Sequence, residues 1–186
     1  MKLAIRADMD LEQTSFVTWL DVDVKDASGA TGRAKIAIVH VGEITDALGD
    51  VLPALRGTSL EALASVYFTE GWYREAFADG AGIDLVFFER IEMTEDQRAR
   101  NIDLALVRRI CDTLGSGCQL AVMPYGDPMG AAHWARLGFA LTTPGRARGL
   151  MHMKLGYRHA AVVDATGRGD FEVLPTTAFH DRHTAN

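Results

Sequence analysis

Apolar and polar residues alternate most cleanly near the start of the chain. In SFVTWLDVDVK, residues 15–25, Val22 and Val24 alternate with Asp21 and Asp23, the two-residue period of a half-buried strand. The turn cluster DASGATG follows and RAKIAIVHV returns, so residues 15–42 are expected to form a β-hairpin. The period then lengthens. A short helix is expected from Glu43 to Leu55, stopped near Pro53 and Gly57. A longer one, capped at Thr58 or Ser59, would run to about Ala78 with Leu60, Leu63, Ala64 and Tyr67 on one face. FADGAGID breaks that pattern.

The second half is more regular. LVFFERIEM (85–93) is an expected strand, and Ile102 to Leu114 an expected helix, with Ile102, Leu106, Ile110 and Leu114 at four-residue steps. QLAVM (119–123) reads as a short buried strand and PYGDP as a turn. Met129 to Leu137 reads as a helix ended by Gly138, where a left-handed backbone is tolerated. RGLMHMKLGY (148–157) is a further strand, AAVVDATGRGDFEVL a second hairpin, and residues 175–186 a polar, loosely held tail. Strand, helix, strand, helix, strand in this order imply an α/β sheet with a parallel pairing inside it.

Composition narrows the picture. With 186 residues the chain suffices for one well-buried domain, expected over residues 1–174. Hydrophobic residues at 48% and charged residues at 24% are ordinary for a globular protein. A net charge of −6 argues against a nucleic-acid partner, which wants a basic face. MKLAIRADMD makes a poor signal peptide, and no apolar run is long enough to span a bilayer, so a cytoplasmic protein without a membrane partner is the expectation. Cys111 and Cys118 form neither a disulfide framework nor a metal cluster, and are expected as reduced structural thiols. His40, His152 and His159 have no metal-binding spacing, so no metal is expected.

The strongest candidate for chemistry is EDQRARNIDLALVRRICDTLG, residues 95–115. Arg98 and Arg100 crowd the start of a helix, where the macrodipole prefers negative charge, unless an anion sits between them. Either guanidinium could grip a phosphate bidentately or simply lie solvated at the surface.

In order and spacing this junction resembles motif A of the GNAT-type N-acyltransferases, R/Q-x-x-G-x-G/A, with Arg98, Asn101 and Asp103 at the aligned positions. HWARLGF (133–139) is similar to the family's LYEKLGF segment, and the resemblance covers roughly residues 83–157. It implies a GNAT-like mixed, centrally splayed β-sheet flanked by helices, with strands 85–93 and 119–123 parallel and adjacent. It also implies transfer of an acetyl or other acyl group from acetyl-CoA, or a related acyl-CoA, to an amine of unknown identity. The backbone of Asn101, Ile102 and Asp103, with Arg98 and Arg100, would hold the pyrophosphate. The backbone at Ile91 and Met93 would hold the pantetheine arm, and Glu89, among Phe87, Phe88 and Ile91, would be the base. Asn101 and Asp103 stand where the family has glycines, and Trp134 where it has a proton-donating tyrosine. Asp103 could instead be a helix-dipole or capping residue. The alternative expectation is therefore a catalytically inactive GNAT-fold binding or assembly module. Assembly as a homodimer is left open.

Overall fold

The computed structural model describes residues 2–8, 16–25, 29, 31–41, 60–69, 72–80, 82–126, 128–156 and 159–175. The chain begins with strand β1 (Lys2–Asp8), β2 (Val17–Lys25) and β3 (Thr31–Val39), each antiparallel to the one before. Helix α1 (Glu61–Tyr67), the small hairpin β4 (Phe68–Thr69) and β5 (Trp72–Tyr73), and a 3-10 turn at Glu75–Phe77 follow. The motif-bearing half contains β6 (Asp84–Glu92), a short helix α2 (Glu95–Ala99), α3 (Ile102–Thr113), β7 (Cys118–Pro124), α4 (Pro128–Ala135), α5 (Thr143–Ala147) and β8 (Leu150–Lys154). A final antiparallel hairpin pairs β9 (Ala161–Asp164) with β10 (Phe171–Leu174).

The central sheet has six strands in the order β1-β2-β3-β6-β7-β8. All its pairings are antiparallel except β6 with β7, which is parallel because α3 carries the chain back across the sheet between them. Each face has its own core. Leu104, Leu106, Val107 and Ile110 of α3 pack with Val86, Phe88, Ala121 and Met123, and Val162, Phe171 and Val173 of the last hairpin close over that side. Leu63, Val66 and Tyr67 of α1 pack on Leu85, Phe87, Leu120 and Val122 of the other face. Cover on both faces explains why β6 and β7 contain continuous apolar runs rather than alternation.

The structure departs from the sequence expectations at one element and adds two. The helix expected to reach Ala78 ends at Tyr67, where Phe68 turns extended at φ −113°, ψ 154°. Its continuation is the β4–β5 hairpin, which brings the Phe68 and Tyr73 rings to 4.8 Å; the aromatic and β-branched run Val66–Phe68 suits that extended path. Residues 2–8 form a strand where no element was expected. The five-residue α5, where no element was expected, precedes β8 and is started by Thr142, whose hydroxyl accepts from the Gly145 N–H. The helix expected at 43–55 and the tail at 176–186 lie outside the described residues. Gly138 ends the turn after α4 at φ +105°, as its position suggested.

Candidate functional site

The site begins where β6 and β7 part company. Their parallel register runs from Asp84 and Cys118 to Phe87 and Val122 and goes no further. Beyond it, β6 continues to Glu92 paired with β3, while Met123 and Pro124 of β7 stay paired with β8. A groove of about 710 Å³ opens at the divergence, walled by β6 and the end of β7, α2, the start of α3, and α4. That size is within the range of small-molecule sites.

A β-bulge shapes the β6 wall. Ile36 opposes Phe88 and Lys35 opposes Arg90, so Glu89 is the extra residue. The bulge reverses the facing of everything after it. Val86 and Phe88 point to the α3 side; regular alternation would then put Arg90 and Glu92 there, but Ile91 and Met93 pack on that core instead. Glu89 is held by an ion pair with Lys35 at 3.2 Å, and the Lys35 ammonium also lies 4.6 Å from the centre of the Trp19 ring. Its surroundings are therefore ionic as well as apolar, unlike the enclosure expected among Phe87, Phe88 and Ile91.

The stretch between β6 and α3 is more structured than the expected loop. Thr94 caps α2 by a reciprocal capping box with Gln97, its hydroxyl accepting from Gln97 N–H at 3.2 Å and its N–H donating to Gln97 Oε1 at 3.1 Å. Arg98 is thus in the last turn of α2, where the helix dipole favours a cation. That arrangement resolves the puzzle of arginines at a helix start without requiring an anion. Asn101 then reverses the chain at φ 54°, ψ 31°, the one non-glycine residue with positive φ among those described. Asparagine tolerates this region better than most other side chains. Its amide points away from the groove: Nδ2 donates to the Phe171 carbonyl at 2.6 Å, and Oδ1 accepts from Arg136 at 2.8 Å.

The predicted site residues separate into two groups. Glu89, Ile91, Arg98 and Asp103 line the groove. Arg100 turns towards the last hairpin, paired with Asp96 at 3.2 Å and Asp170 at 3.3 Å and donating to the Gly169 carbonyl. Ile102 is buried in the core and Met93 packs against its edge. The first intrahelical bond of α3 runs from Ala105 N–H to the Asn101 carbonyl, so the amides of Ile102 and Asp103 precede the helix's own bonding.

Asp103 is only 2% exposed, and both of its oxygens are engaged. Oδ1 accepts from Leu104 N–H at 2.8 Å, and Oδ2 lies 2.8 Å from Nε2 of His133 on α4. His133, which no sequence signal pairs with Asp103, also lines the groove and stacks edge-on against Trp134 at 5.0 Å. Tyr125 lines it too, its hydroxyl near the Arg146 carbonyl at 3.4 Å. No group of three or more metal-binding side chains occurs among the described residues, and no helix among them is long and apolar enough to cross a membrane. Comparison of the chain with known protein families, with curated proteins and with solved structures finds no match.

Proposed function

We propose that this protein is an acyl-CoA-dependent N-acyltransferase built on a GNAT-like splayed sheet. The observation that carries the reading is the groove between β6 and β7, placed at the N-terminus of the helix that joins them. A thioester arm lying in such a gap can run between the diverging strands, and the first-turn amides of α3 suit a phosphate. Arg98, exposed on the groove wall, adds the charge-assisted contact. In the reaction, an amine nitrogen attacks the thioester carbon, a C–N bond forms and the C–S bond breaks. Glu89 takes the proton released by the amine, and the departing thiolate takes up another.

A second reading, a GNAT-fold module that binds or assembles without catalysis, is favoured by specific contacts. Arg100, Asn101 and Asp103 are committed to partners within the chain, and Trp134 can donate an N–H hydrogen bond but no proton. Melting the purified protein with acetyl-CoA, and assaying free thiol release with a panel of amines, tests both. Acetyl-CoA should raise the melting temperature and at least one amine should release CoA. Stabilisation without release for any amine would favour the module, and no stabilisation at millimolar acetyl-CoA would refute acyl transfer and favour the module as well.

A further inference from the structure

We propose that His133, oriented by Asp103, is the proton donor of the groove, delivering the proton that the departing thiolate needs. This role rests on the acyl-transfer reading above and supplies the acid that Trp134 cannot. Three features of the structure lead to it.

The tautomer is fixed. An ionised carboxylate only accepts, and Asp103 accepts from the Leu104 amide on one oxygen, so the 2.8 Å contact on the other is an Nε2–H donation from His133. Nδ1 is then the nitrogen left for exchange with a ligand. The orientation is held from two sides, by buried Asp103 on α3 and by the edge-on Trp134 ring, while His133 itself remains part-exposed in the groove wall. The carboxylate also balances an imidazolium in place, the usual service of an acid behind a histidine. With His133 charged, Nδ1–H passes its proton to the sulfur as the C–S bond breaks, leaving a neutral imidazole and a thiol. Solvent restores the proton. The charged and titratable groups facing the same groove are Asp103 from α3, Glu95 and Arg98 from α2, Glu89 and Arg90 from β6, and Tyr125 after β7.

The arrangement also changes the meaning of Asp103 beside an anion site. A lone carboxylate there would repel phosphates, whereas one paired with an imidazolium at His133 would not.

The test needs no acceptor amine. Binding of CoA and of acetyl-CoA to the full chain is measured by calorimetry at several pH values, in buffers of different ionisation heat, which counts protons exchanged on binding. CoA carries a thiol and acetyl-CoA does not, so a donor at the sulfur makes the two counts differ. That difference should vanish in His133→Gln and shrink in Asp103→Asn, while both variants still bind acetyl-CoA. If His133→Gln fails to fold, the near-isosteric Asp103→Asn decides. Equal proton counts for the two ligands in the parent, or an undiminished difference in the variants, would overturn the role of His133. Loss of the difference in Tyr125→Phe but not His133→Gln would overturn it in favour of the phenol. Absence of any CoA binding would overturn the acyl-transfer reading itself, and this role with it.

Discussion

Asn101 offers the sharpest quantitative check, because one residue both holds a left-handed backbone and ties α3 to the last hairpin. Substituting glycine removes two hydrogen bonds, to the Phe171 carbonyl and from Arg136. Each is worth about 0.5–1.5 kcal/mol, with the exposed arginine bond at the low end. Against that loss, glycine at φ 54° recovers part of the ~1–2 kcal/mol that an ordinary side chain spends in the left-handed region. Asn101→Gly should therefore destabilise by about 0.5–1.5 kcal/mol. Asn101→Ala loses the same bonds and adds the share of the backbone penalty that asparagine avoids, about 1.5–3.5 kcal/mol in all. Urea unfolding of parent and both variants measures these, and melting temperatures should fall by ~2–4 °C per kcal/mol for a chain of this length. The gap between the alanine and glycine variants reports the left-handed backbone directly. Were alanine as stable as glycine, or both within ~0.5 kcal/mol of the parent, the chain reversal at Asn101 would be wrong as described.

Four further outcomes are expected. Arg100→Ala should lower the melting temperature by removing its contacts with Asp96, Asp170 and the Gly169 carbonyl, whereas Arg98→Ala should leave it nearly unchanged; equal losses would contradict the different placement of the two arginines. Burial lowers the His152 pKa to about 4, so its neutral form is the folded one and the unfolded chain binds the extra proton between pH ~6.5 and 4. Stability should consequently fall by about 2 kcal/mol from pH 7 to 5 on this account, and denaturant titrations of His152→Leu should show a flatter profile over that window. A Cβ at Gly82 would lie 2.5 Å from the carbonyl oxygens of Gly117 and Cys118, backbone that cannot swing aside, so Gly82→Ala should cost ~3 kcal/mol in urea unfolding. Cys111 and Cys118, buried and with thiol pKa values pushed up to about 12 by desolvation, should react with a disulfide reagent only as fast as the protein unfolds.

What could be read in the sequence follows from the range of the interactions involved. The strands at 85–92 and 118–124 and the helix between them carry their own periodicity, and the left-handed Gly138 is a local signal, so these were legible. The parallel pairing followed from the connection between the strands. The N-terminal strand was not legible, because at the sheet edge its residues face water and Ile5 is 42% exposed. The end of α1 at Tyr67 was missed because helix-forming residues before it mask the packing of Phe68 on Tyr73. In the candidate site, the β-bulge at Glu89 depends on register with β3, and nothing in LVFFERIEM announces it. Contacts of 30 to 70 residues' separation decide the rest: Asp103 with His133, Asn101 with Phe171, Arg100 with Gly169. Periodicity cannot reveal such pairs, which is why three residues assigned to one anion-binding loop have three different orientations.

The central claim, that the gap between β6 and β7 receives an acyl-CoA, is tested most directly by titrating acetyl-CoA into the protein in a calorimeter, with Arg98→Ala as the companion. The account predicts saturable one-to-one binding, weakened by about 1–3 kcal/mol in Arg98→Ala, the scale of a charged hydrogen bond, with the variant's melting temperature intact. No binding heat from the parent at millimolar acetyl-CoA, or equal affinity in Arg98→Ala, would contradict it.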